Sequence, residues 1–286
     1  LEGADSQAAD LADGPSELVP DPATGIIADL VEETEHGPIP RMSATGDRPF
    51  DLYARPSITT ASADGKPLVA IIVTGLGLNE ATSLEAANTL PEAVTLAFAP
   101  YGRGLKASTA AARAAGHELM LEVPLEPFDY PDNDPGPDTL RAGQAPRDNM
   151  SRLYTVMAKF GGYFGLINNM GARFTASPAD FAPMMEELGA RGLGYVDDGS
   201  SNRSLAQQLS AANRVPFARA DLMLDANPTR SAILEQLTLL EDKARTNGSA
   251  LGVVSALPVS ITALAEWSNK LESRGFALVP ASAVMK

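Results

Sequence analysis

The chain has no cysteine, and that one absence removes disulfides, thiolate nucleophiles and zinc–cysteine sites together. It has only two histidines, His36 and His117, so neither a Ser-His-Asp relay nor a histidine-rich metal site can be assembled from it. A G-x-S-x-G elbow is also missing. Val73-Thr74-Gly75-Leu76-Gly77 completes neither the G-x-G-x-x-G dinucleotide pattern nor a lysine-bearing phosphate loop, and reads as a tight strand-to-helix turn. Positive charge is scarce: 22 Lys and Arg stand against 36 Asp and Glu, a net charge of −14. With no basic face to neutralise a phosphate backbone, nucleic acid is not an expected partner, and an anionic membrane surface is disfavoured for the same reason. No apolar run approaches the roughly 18 residues of a spanning helix. The chain opens on Leu1, and an export signal or anchor is expected ahead of it.

What is present is a core-forming composition, 44% hydrophobic and 20% charged, unevenly distributed along 286 residues. Residues 1–66 hold 13 acidic and 4 basic residues, a net of −9, which leaves −5 for the remaining 220. This first stretch is rich in Ala, Asp, Gly and Pro and has little periodicity, so it is expected to be an acidic tether or a surface-wrapping segment. Within it, Gly25–Val31 suits a turn or two of helix, while Gly37-Pro38-Ile39-Pro40 and Arg48-Pro49-Phe50 suit extended segments along a surface.

Residues 67–286 alternate regularly. Short apolar runs predict strands at Val69–Val73, Val94–Phe98, Glu118–Val123, Tyr163–Ile167, Gly194–Val196, Leu222–Leu224, Ala250–Val254 and Ala277–Val279. Amphipathic stretches between them predict helices at Glu80–Leu90, Gly104–Ala115, Arg147–Phe160, Pro178–Arg191, Ser204–Asn213, Arg230–Thr246 and Ser260–Arg274. Ser177-Pro178 marks a helix start, and Asn247-Gly248 and Arg274-Gly275 mark helix exits. Repeated strand–helix units give an α/β fold of parallel strands with helical crossovers; a closed barrel and an open doubly wound sheet both satisfy the pattern. Either one places ligands at the carboxyl ends of the strands.

Those strand ends carry the candidate chemistry. After the third strand, Glu122 and Glu126 flank an apolar, Pro-bounded turn, and with Asp197 they are the candidate acid–base carboxylates. The loop Phe128–Pro137 follows, with aspartates and the aromatic residues Phe128 and Tyr130, which suit sugar stacking as well as packing. After the fourth strand, Asn168, Asn169 and Arg173 form a hydrogen-bonding surface for neutral or anionic oxygens. Asp197 and Asp198 follow the fifth strand, one expected to cap the next helix and the other to face the cleft, and Asp225 adds a further carboxylate. His117 precedes the third strand, at its amino end, and is expected to be structural.

Taken in order, these segments resemble the divergent polysaccharide deacetylase family over about 220 residues, from Pro67 to the C-terminus. The resemblance rests on Ala70–Gly77, Leu90–Ala97, Gly116–Pro127, Asn169–Thr175, Arg191-Gly192-Leu193 with Asp197, and Leu278-Val279-Pro280. It implies a deformed, seven-stranded β/α barrel, exported to the periplasm or cell envelope. In the family a divalent metal, typically zinc held by an aspartate and histidines, would activate water against an acetyl group.

The departures bear on function. Where the family is expected to carry an Asp-Asp pair, this chain has Thr74-Gly75; Glu122 and Asn169 replace histidines, and Val254-Ser255-Ala256 replaces Gly-His-Pro. Amides and hydroxyls are poor zinc ligands, so no metal or other cofactor is expected. Thr74, Asn168, Asn169, Arg173, Asp198, Asp225 and Ser255 are the candidate ligand-binding residues. Two readings follow: an inactive envelope protein that binds glycan or an envelope protein, or a carbohydrate hydrolase rebuilt on Glu122, Glu126 and Asp197. A structural protein with a vestigial cleft is the third.

Overall fold

The structure is a computed structural model and describes residues 18–55, 59 and 62–286. In chain order the elements are β1 (Val31–Thr34), β2 (Gly37–Pro40), α1 (Pro49–Tyr53), β3 (Leu68–Leu76), α2 (Glu80–Thr89), β4 (Thr95–Phe98), α3 (Leu105–Ala114) and β5 (Leu119–Leu125). There follow α4 (Pro146–Met157), β6 (Gly165–Met170), α5 (Pro178–Arg191), β7 (Gly194–Asp197), α6 (Ala206–Asn213), β8 (Phe217–Arg219) and β9 (Leu222–Met223). The chain ends with α7 (Arg230–Asn247), β10 (Ser249–Ser255), α8 (Pro258–Leu271) and β11 (Ala277–Val279).

Between a closed ring and an open sheet, the pairing decides for a deformed barrel. The strand order is β8-β7-β6-β5-β4-β3-β10-β9, and every pairing in it is parallel. Its two ends, β8 and β9, are consecutive pieces of one extended run. Phe217–Arg219 pairs with β7, Leu222–Met223 pairs with β10, and only Ala220 and Asp221 lie between. The Ala220 amide donates to the Asp197 carbonyl and the Asp221 amide to the Leu251 carbonyl, both at 2.8 Å, so the run changes partners in two residues and closes the ring. The second irregularity is at β3, whose one edge is shared. Its first half pairs with β11 and its second half with β4.

Strand alternation divides the core. Val69, Ile71 and Val73 of β3 face outward into the layer beneath the helices, while Leu68, Ala70 and Ile72 face the barrel interior with Ala97, Met120, Ile167, Val196 and Val253. The amino-terminal end of the barrel is floored by Ile27, Leu30 and Tyr53 from one end of the chain and Ala281 from the other, all buried in the interior cluster. Residues 18–55 thus lie against the barrel, with Ile39 also buried. Arg48–Phe50 departs from its expected extended form: Pro49 opens α1, because its fixed φ and missing N–H suit a first helical turn. Gly37–Pro40 is extended as expected and forms β2, while its antiparallel partner β1 and the strand β8 are elements that the sequence pattern did not announce.

Glu118 sits deep in this floor, completely buried. It accepts hydrogen bonds from Thr95 Oγ1 (2.7 Å), Ser282 N (3.1 Å), Ser282 Oγ (2.6 Å) and Arg55 N (3.2 Å), which ties the C-terminal turn to β4 and β5. His117, also buried, has its ring nitrogens 2.7 Å from the Val94 carbonyl and 3.1 Å from the Ala87 carbonyl, at the end of the barrel away from the strand carboxyl ends.

Candidate functional site

The inward-facing set at the carboxyl ends of the strands is short. Thr74 ends the inward series of β3, and Ser255 is its register partner on β10. Glu122 continues the series Glu118, Met120 on β5, and Asn169 follows Ile167 on β6. These four side chains occupy the cup where the family would carry its metal ligands.

Glu122 is the singular member. It is 5% exposed, and the Gly75 amide donates to its Oε1 across β4, whose inward residue one step below, opposite Met120, is the small Ala97. Gly75 has φ +77°, a left-handed conformation that turns its N–H toward the carboxyl, and a Cβ there would meet nothing within 4 Å. Burial pushes the Glu122 carboxyl up to about 7, offset in part by the Gly75 hydrogen bond.

The other sequence-predicted residues are drawn into separate structural roles. Glu126 accepts from the Ala142 amide (2.6 Å) and from Arg173 Nη1 (3.0 Å), so it does not pair with Glu122 as acid and base. Arg173 is half exposed on the outer side of that pair. Asn168 is buried and turned away from the cup. It accepts from Tyr195 Oη (3.2 Å) and the Asp198 amide (3.0 Å) and donates to the Met170 carbonyl (2.6 Å). Asp197 accepts from the Gly199 amide (2.8 Å), and Asp198 accepts from the Ser200 amide (2.9 Å) and hydroxyl (2.6 Å). Neither aspartate caps the following helix, whose N-cap is Leu205. Asp198 is held above the usual carboxylate range, chiefly by burial. Asp225 accepts from the Ser255 amide and Ser260 Oγ, both at 2.9 Å, and staples β10 to α8.

The rim of the cup is apolar. Among the described residues, eight large hydrophobic side chains are exposed, and five of them stand at or just beyond strand carboxyl ends: Leu78, Phe128, Met170, Met223 and Leu257. Arg203 lies over the Phe128 ring, 5.8 Å from its centre. Apart from Phe128, sequence reasoning missed this rim, because a single exposed apolar residue in a loop carries no periodicity. Its only signal is position, since Met170 and Met223 end their strands and Leu78, Phe128 and Leu257 follow theirs within three residues.

The residues present do not fit the zinc site of the family. No group of three His, Asp or Glu side chains converges closely enough to hold a metal ion among the described residues. In the cup only Glu122 offers a metal-binding oxygen of the usual kind, beside a hydroxyl pair and an amide.

Comparison with known proteins agrees with this placement. Residues 71–285 match the family model described as divergent polysaccharide deacetylase. An uncharacterized protein of Haemophilus influenzae is 22% identical over 216 residues, covering 75% of each chain. The uncharacterized Escherichia coli protein YibQ is 22% identical over 197 residues, 68% of this chain and 60% of that one. A crystal structure of an uncharacterized protein from Agrobacterium tumefaciens superposes with a TM-score of 0.81 at 43% identity, over 86% of this chain and 98% of that one. A putative cellobiose-phosphate cleavage protein from Enterococcus faecalis shares the fold at 13% identity, with a TM-score of 0.50 over 77% of this chain and all of that one. The chain belongs to the divergent polysaccharide deacetylase family.

Proposed function

We propose that this is an exported, non-hydrolytic member of its family that uses the barrel mouth to bind a neutral glycan of the cell envelope. The observation that carries the reading is a cup whose polar groups, Glu122 apart, carry no charge, set among exposed apolar side chains at the strand carboxyl ends. Asn169 offers its amide, and Thr74 and Ser255, whose hydroxyls donate to the Val254 carbonyl (3.3 Å) and to Asp225 (3.4 Å), offer acceptor oxygens to sugar hydroxyls, while Phe128 and Met170 offer surface to the C–H faces of the rings. Hydrolysis needs either a metal that lowers the pKa of water from about 16 to about 7 or a general base that takes its proton; among the described residues the cup has no metal-ligand set, and Glu122 is its single carboxyl.

Titration of the purified chain with peptidoglycan fragments and other acetylated oligosaccharides tests this by calorimetry. Saturable binding that weakens in Asn169→Ala and Phe128→Ala, without release of acetate, is the expected result. Absence of binding to any envelope glycan would remove the reading. Export is tested by fractionating cells that express the natural gene product.

A second reading, a rebuilt hydrolase, is favoured by one observation: a carboxyl held near neutrality suits a general acid or base. Acetate or reducing-sugar release that disappears in Glu122→Gln would establish it in place of the first.

A further inference from the structure

A partly open apolar cavity lies where the segment 24–40 packs against the barrel. Ile26, Leu30 and Ile39 help to roof a cavity of about 280 Å³ above Phe160 and the Gly161-Gly162 backbone. The roof is seated on bare backbone, since a Cβ at Gly161 would lie 2.9 Å from Ile26 Cδ1. Lys106, in the first turn of α3, and Lys159, just beyond α4, line this cavity too. The same two lysines line an adjoining open pocket with Arg103 and Asp138. The apolar slot therefore leads past two ammonium groups into an open pocket that also carries Arg103 and Asp138.

Two cations at this rim are free of ion pairs: Lys159 Nζ stands 3.9 Å from Asp138, and Glu80 lies against Gly104, whereas Lys106 and Arg103 have no ion pair among the described residues. Asp134 acts on Tyr101 of the same pocket, so the charges there balance by count, and Lys106 and Arg103 are the cations left without a close partner among the described residues. An apolar cavity accepts hydrocarbon in preference to water, and a cationic rim selects an anion over a cation.

We infer that this slot binds a single-chain amphiphile with an anionic head, its alkyl chain under Ile26 and its head at Lys106 and Lys159. The site is independent of the barrel mouth and of the function proposed for it.

Calorimetric titration of the intact chain below micellar concentrations tests this with dodecanoate, monododecyl phosphate, dodecyltrimethylammonium and inorganic phosphate. Both anionic amphiphiles are expected to bind at one site per chain, with the cationic one and free phosphate at least about 100-fold weaker. The tighter of the two anionic probes identifies the head group as carboxylate or phosphate. Reversing the rim in Lys106→Glu/Lys159→Glu is expected to weaken dodecanoate binding about tenfold or more, and Ile26→Trp, which fills the slot, to do the same. The double charge reversal lies on the surface and keeps the test open where Ile26→Trp does not fold. No saturable binding of either anionic amphiphile, equal binding of the cationic one, or unchanged affinity in the charge-reversed variant would overturn the inference.

Discussion

The Gly75 amide donates to the buried Glu122 carboxyl across the top of the barrel, and this is the one hydrogen bond that Glu122 receives among the described residues. Two positions where the family is expected to hold metal ligands are here bound to each other. The contact turns a ligand cradle into a closed polar cup, and its consequences can be measured.

Glu122 makes stability depend on pH in a definite direction. Its carboxyl is at about 7 in the folded chain against 4.5 for an ordinary glutamate, so between those values the folded state binds more protons than the unfolded state. Stability attributable to this group therefore falls as pH rises through that window. The difference amounts to about 3 kcal/mol once the pH is above both values. Glu122→Gln keeps an acceptor for Gly75 and carries no charge. Chemical denaturation of this variant is expected to give more stability than the parent at pH 8 and little difference at pH 4.5.

Gly75 is required by its backbone rather than by space. At φ +77° a side chain is strained although nothing lies near its Cβ. Gly75→Ala is expected to destabilise by about 1 kcal/mol, read as a lower urea midpoint with an unchanged slope. A stability equal to the parent would mean that the turn relaxes and gives up its hydrogen bond to Glu122.

Glu118 holds the opposite end of the barrel. Removing its carboxylate in Glu118→Ala leaves Thr95, both Ser282 donors and the Arg55 amide without their acceptor in a buried site. A loss of about 3 kcal/mol is expected in equilibrium unfolding, far more than from a surface carboxylate. Because the site is remote from the mouth, glycan affinity of the folded fraction should be unchanged.

Zinc gives a test of the cup that needs no substitution. A metal bound only by the folded chain raises the unfolding midpoint in proportion to the logarithm of its concentration over Kd. With Thr74, Asn169 and Ser255 in place of strong ligands, zinc at about 100 µM is expected to leave the thermal midpoint unmoved, within about 1 °C. A concentration-dependent rise reversed by chelation would show a metal site after all.

Much of the fold was legible because it depends on local patterns. The helices at Pro178–Arg191 and Arg230–Asn247 announce themselves through Ser177-Pro178 and Gly248, whose caps need only their immediate neighbours. β10 follows from an apolar run long enough to be read alone, and the short β11 from being wholly apolar and following the helix exit at Gly275. β8 escaped because Phe217–Arg219 is three residues long and half polar, and only its pairing with β7 makes it a strand. The site was legible as a set of positions but not as a set of partners. Glu122 and Glu126, four residues apart, appear in sequence as one carboxylate pair; in space Arg173 and Ala142 claim Glu126, and Gly75 claims Glu122.

By itself the sequence determined the parallel α/β alternation, the family and the scarcity of histidine, since each is written in residue type and spacing. Closure of the ring at Ala220-Asp221, the proton affinity of Glu122 and the apolar rim were decided only by tertiary structure. Those three depend on which surfaces the folded chain brings together or withholds from water, and distance along the chain carries no record of either.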